Sequence, residues 1–129
     1  MNNDDSKIRK FTDLHAWQEG HRLVLMVYKN TEKFPDKEKY GIIDQMRRAA
    51  VSLTSNIAEG FSRRSSKEKN RFYCIAQASL VELQNQFIIS KDVDYLSDND
   101  FQIIAGQSVI VSKLLNGLLR ATKDKKFES

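Results

Sequence analysis

Six polar side chains in the middle of the chain have the types and spacing that chemistry would use. Arg48, Ser52, Ser55, Asn56, Glu59 and Arg63 lie within RRAAVSLTSNIAEGFSRRSS, residues 47–66, and on a helix they form one polar band. Serine, asparagine and a carboxylate along one face are the ingredients of a hydrolytic or acyl-transfer site. A serine nucleophile, however, needs a positioned base to take its proton, and neither histidine falls in the band. The architectural alternative asks for less. Small residues let neighbouring helices approach closely, while Asn56 and Glu59 pair with Arg48 or Arg63, or with groups across a subunit boundary. An exposed Arg–Glu pair four residues apart contributes only a few tenths of a kcal/mol; buried at an interface, the same groups chiefly fix register. Architecture is the favoured reading.

Other chemistry is sparse. His15 and His21 are six residues apart, unlike the i, i+4 spacing of a helical metal pair, and His21 falls on an apolar stripe as a hydrogen-bonded core histidine would. The carboxylates form no Glu-x-x-His pairs of the di-iron bundle type. Cys74 has no sequence neighbour that would activate a thiol and reads as packing. No glycine-rich phosphate loop occurs. These residues point to no catalytic group, metal site, cofactor or small-molecule substrate, and the expectation is a protein that is not an enzyme.

The elements that would position the band are helices. The chain of 129 residues suits one domain, with 40% apolar and 29% charged residues. One proline and five glycines leave few breakers. Apolar residues recur at helical spacing in four segments. The first carries Leu14, Trp17, His21, Leu25 and Tyr28, opens near Thr12 or Asp13, and ends before Phe34-Pro35, because proline cannot continue a helix. The second carries Ile42, Met46, Ala49, Ala50, Leu53 and Ile57 and stops near Gly60, suited to a left-handed C-terminal position. Ser65 with Glu68 three residues on predicts the cap of the third, whose stripe is Phe72, Ile75, Ala76, Ser79, Leu83 and Phe87. Ser97 caps the fourth, which carries Phe101, Ile104, Ser108, Val111, Leu115 and Leu119.

Nothing alternates at period two, and the breaks are short. The predicted fold is all-α: an antiparallel up-and-down four-helix bundle over residues 12–122, between a flexible N-terminal segment (1–11) and a flexible basic tail (123–129). The N-terminus lacks the apolar run of a signal peptide. The runs LVLMVY and VIVSKLLNGLL are short or interrupted, so no membrane span is expected. A lone cysteine suits a reducing cytoplasm.

Three helices carry a second apolar stripe: Ala16, Leu23 and Val27; Cys74, Val81 and Ile88; and Ile103, Ile110 and Leu114. A lone bundle needs only one apolar face per helix, and a large contiguous patch is uncommon on a monomer, whereas scattered exposed aliphatics are ordinary. Regular spacing favours self-association, with closed cyclic symmetry the usual outcome; the stripes do not set the number of subunits. Leu23, Val27, Cys74, Val81, Ile88, Ile103, Ile110 and Leu114, with Asn56 and Glu59 from the band, are the expected interface.

Charge is divided along the bundle. The end holding both termini and the second corner collects twelve basic residues, among them Arg63, Arg64, Lys67, Lys69, Arg71, Lys123, Lys125 and Lys126, against seven acidic ones, about +5. The other end has five basic and eight acidic residues, about −3. In a ring, the basic ends would share one face and attract phosphate backbones. Lys and Arg also favour helix C-termini for dipole reasons alone, and from charge the two readings stand level. No RNP motif, zinc knuckle or helix-turn-helix spacing adds weight.

DLHAWQEGHRLVLMVY, FPDKEKYGIIDQMRRAAVSLTSNIAEGFSRRSSKEKNRF and IAQASLVELQNQFIIS resemble the four-helix-bundle family encoded in intervening sequences of bacterial 23S rRNA genes. The resemblance runs from about Asp13 to Leu119, and its most specific part is QMRRAAVS followed by SNIAEG and SKE. It implies a ring-shaped homopentamer. The chain is also similar, more distantly, to the accessory bundle protein of diversity-generating retroelements, which is basic and works with a reverse transcriptase and RNA. Arg47, Arg48, Asn56, Glu59, Arg63 and Lys67 match the family motif, and no catalytic role comes with them. Thr54 stands where many relatives have proline, and Ala78 where they have glycine. The expected function is a homo-oligomeric bundle that binds structured RNA or a ribonucleoprotein through its basic end; the alternative is a protein-interaction scaffold that touches no nucleic acid.

Overall fold

Long amphipathic segments joined by short breaks give four helices: α1 (His15–Thr31), α2 (Ile42–Ser62), α3 (Ser66–Asp92) and α4 (Asp98–Glu128). The computed structural model describes the backbone of residues 7–128 and the side chains of residues 7–123. Single 3-10 turns, Phe11–Asp13 and Asp36–Glu38, precede α1 and α2. Each helix packs on its neighbours in sequence, and α4 closes against α1. Every neighbouring pair is antiparallel. Thr31 meets Arg47 where Gly20 meets Thr54, and Ser90 meets Met46 where Ser79 meets Ser52. Likewise Asn70, Gln77 and Gln84 bond Thr122, Asn116 and Ser108, while Glu19 meets Gln107 and Lys33 meets Asp100.

The core stripes of α2 and α4 are those the periodicity predicts, with Met46, Ala50, Leu53, Ile57, Ile104, Val111 and Leu115 fully buried. On α3, Ala76, Ser79, Leu83 and Phe87 face inward as expected, joined by Tyr73 and Leu80, but Ile75 lies outside. On α1 Leu14 and Trp17 of the first stripe pack partly buried against the core, but beyond them the two stripes exchange roles. Leu23 and Val27, expected at an interface, are 0% exposed, whereas Leu25 is 56% exposed and Tyr28 and His21 also face out. The reason is close approach. Ala16 and Gly20 share the inward side, and a β-carbon on Gly20 would sit 3.2 Å from the Thr54 methyl. The face carrying small residues is the one that lets α1 reach α2, whatever the apolar content of the other. His21 stacks on Trp17 with ring centroids 4.8 Å apart rather than entering the core.

Ser65 accepts from the Glu68 amide at 3.1 Å, and Ser97 from the Asp100 amide at 3.0 Å, as capping requires. Asp13 instead caps the turn before α1, accepting from the Arg9 and Lys10 amides at 3.0 and 3.1 Å. Gly60 is not a stop. Helix α2 runs through it to Ser62, and Arg63 leaves in extended conformation. Its missing side chain makes room for Tyr73, whose ring would lie 2.6 Å from a β-carbon there. At the same end of the bundle, α4 continues as helix to Glu128, so residues 123–128 extend its last rod.

Candidate nucleic-acid interface and apolar faces

Antiparallel packing gathers the start of the described chain, the α2–α3 corner and the end of α4 at one end. Ile8, Phe61, Arg64, Lys69, Leu118 and Ala121, from all three segments, line one cavity there. The expected basic residues divide in two. Arg64, Lys67 and Arg71 are exposed, and Lys123 lies beside Arg120 in an adjoining α3–α4 groove of about 450 Å³ that includes Cys74. The side chains of Lys125 and Lys126 lie outside the described residues. Arg63 and Lys69 are engaged by the corner itself. Arg63 pairs with Glu59, lies 4.0 Å from Glu68 and covers the Phe72 ring at 4.7 Å. Lys69 donates to the Phe61 carbonyl at 2.7 Å and the Gly60 carbonyl at 3.4 Å, satisfying the last acceptors of α2. Periodicity gave no signal for this division, because it depends on how a three-residue corner turns.

The opposite end is acidic. Asp36, Asp92, Asp94 and Asp98 are exposed, Lys33 pairs with Asp100 at 3.1 Å, and Tyr95 donates to Glu38 at 2.8 Å. That hydrogen bond to a carboxylate holds the Tyr95 hydroxyl above the ordinary phenol range.

The central band forms no reactive constellation. Ser52 bonds Ser79 at 2.9 Å, and Asn56 donates to the Ser52 carbonyl at 2.8 Å and hydroxyl at 3.1 Å, so no base stands beside either serine. Arg48 pairs with Asp44 at 3.1 Å, and Glu59 with Arg63. Arg47, which the band omits, ties α2 to α1: Nε donates to the buried Thr31 hydroxyl at 3.0 Å, and the guanidinium lies 4.6 Å from the Tyr28 ring centroid. Among the described residues, no group of three or more His, Cys, Asp or Glu side chains is placed to hold a metal ion.

Apolar side chains remain on the outside. Leu25, Tyr28 and Val51 are exposed over α1 and α2, Ile75, Val81 and Ile88 along α3, and Ile103, Val109 and Ile110 along α4. Leu114 is partly buried against the core. Residues 98–123 are long and apolar enough to cross a membrane by length and composition alone, a test that the core helix of a bundle also passes. In the bundle, Ile104, Val111 and Leu115 of that stretch fill the core.

Residues 12–117 match the family model described as 23S rRNA-intervening sequence protein. The chain belongs to this family. Among curated proteins, no relative matches. The intervening-sequence match spans all three helix–helix connections and the basic α2–α3 corner, but stops before Arg120 and Lys123 and begins after Lys7, Arg9 and Lys10.

Proposed function

We propose that this intervening-sequence protein is a non-enzymatic homo-oligomeric bundle that binds structured RNA or a ribonucleoprotein through its basic end. The observation that carries the reading is the convergence of three chain segments, which places Arg64, Lys67, Arg71, Arg120 and Lys123 together and the acidic residues at the far end. Such a field draws in phosphate backbones and releases counterions on contact. The family's name, which ties it to 23S rRNA intervening sequences, fits that partner class. The test is equilibrium binding to a folded rRNA fragment across several salt concentrations, beside a variant with Arg64, Lys67, Arg71 and Lys123 changed to Glu. Arg63 and Lys69 are left intact because they hold the corner. The expected result is tight binding with a steep salt slope that the variant loses, at about 0.7–0.9 of slope per phosphate contact. Unchanged affinity would remove this surface.

Exposed Leu25, Tyr28, Val51, Val81, Ile88 and Ile110 favour the oligomeric part of the reading, since distinct patches that meet head-to-tail generate a ring when the rotation between subunits closes. Five subunits is the order the family resemblance implies. The same faces support the second reading, a scaffold for other proteins without RNA. Partners that stay bound at high salt and survive nuclease treatment would favour it.

A further inference from the structure

The cavity at the basic end has a volume of about 260 Å³, just below the roughly 300–1,000 Å³ of clefts for drug-sized ligands, which suits a single planar ring. Leu14, Phe61 and Leu118 supply apolar wall, and Arg64, Lys69 and Tyr73 the polar groups. Lys69 is held in place by the Phe61 carbonyl, with its ammonium 5.4 Å from the Phe61 ring centroid, so a cation stands fixed beside the aromatic wall. Tyr73 is 3% exposed and lines the cavity. A tyrosine offers an apolar ring with a polar handle, and a ligand acceptor in the cavity would take a hydrogen bond from its hydroxyl.

Apolar walls, a phenol donor and a cationic rim together match the parts of a nucleotide. A base offers a flat apolar face and acceptor atoms at its edge, and its flanking phosphates want cations. Sequence-tolerant RNA recognition commonly takes unstacked bases onto aromatic side chains in this way. A long acyl chain would need a larger tunnel and a single cation, whereas exposed Arg64, Lys67 and Arg71 continue the positive surface beyond the rim. We propose that the cavity takes one unpaired RNA nucleotide, its base against Leu14, Phe61 and Leu118, its edge within reach of Tyr73, and its phosphates on Arg64 and the neighbouring cations. This rests on the RNA-binding reading and narrows its ligand to RNA with a looped-out or terminal base.

The test compares two hairpins of equal length, one fully paired and one carrying a single bulged 2-aminopurine. The wild-type protein is expected to bind the bulged hairpin about tenfold more tightly, the scale of one stacked base, and to change the 2-aminopurine fluorescence. Ala121 is exposed at the cavity's edge, so Ala121→Trp fills the space without removing core; it should abolish the preference for the bulged hairpin. Tyr73→Phe removes only the hydroxyl and should reduce the preference. Equal affinity for the two hairpins with a steep salt dependence would overturn the cavity's role and leave the basic end standing, as would a preference that survives Ala121→Trp. No binding of either hairpin at low salt would overturn both.

Discussion

Gly60 and Gly106 are both helical glycines, and their surroundings assign them opposite roles. A β-carbon at Gly60 meets the Tyr73 ring, a rigid group packed in the core, while at Gly106 nothing lies within 4 Å. Gly60→Ala is therefore expected to destabilise by about 1–3 kcal/mol, the usual scale of overpacking, and Gly106→Ala to stabilise by about 0.5–1 kcal/mol through backbone entropy. Urea denaturation of the two variants reads both signs. Asp13 gives a pH prediction. The backbone amides of Arg9, then of Lys10, favour its charged form and lower its pKa from the ordinary value of 3.8. A carboxylate with a lowered folded-state pKa stabilises above its unfolded value, and that contribution disappears as pH falls through the folded one. The gap in urea midpoint between wild type and Asp13→Ala should be present at neutral pH and close below the ordinary aspartate range.

At the scale of elements, helix α1 shows what periodicity leaves open. Both of its stripes are apolar, and the choice between them rests on Gly20 and Ala16, residues too small to register as a stripe yet decisive for how near α2 can come. Leu23→Ala should cost about 2–5 kcal/mol as a core truncation, whereas Leu25→Lys should leave the bundle's stability within about 0.5 kcal/mol and lower the sedimenting mass of any assembly built on that face. Thermal unfolding and sedimentation velocity together separate the two effects. The stripes of α2 and α4 and the caps Ser65 and Ser97 were legible because each has one apolar face and one unambiguous start. Arg63 and Lys69 were legible only as charge. Their use as corner staples depends on the extended Arg63 backbone and on carbonyls that exist only once α2 has ended. Tyr73 was missed as a lining residue because its place is set by the vacancy at Gly60, on another helix.

At the scale of the whole molecule, up-and-down topology turns a modest net charge of +4 into a polarised body, with the basic corner at one end and Asp36, Asp92, Asp94 and Asp98 at the other. That much followed from element order and loop length, since antiparallel neighbours fix which connections share an end. The connections themselves are unequal. Ten residues separate α1 from α2 and five separate α3 from α4, but only three, 63–65, separate α2 from α3. The chain entropy lost on closing a loop grows with its length, and local contacts form fastest. Helices α2 and α3 are therefore the pair expected to dock first, with Ser52–Ser79 and Gly60–Tyr73 as early contacts and α1 and α4 condensing onto them. Ser79→Ala and Leu80→Ala should slow refolding with little change in unfolding rate, and Leu23→Ala should do the reverse. Stopped-flow refolding would then reveal the staple at residues 63–65 as the place where this chain begins to become a protein.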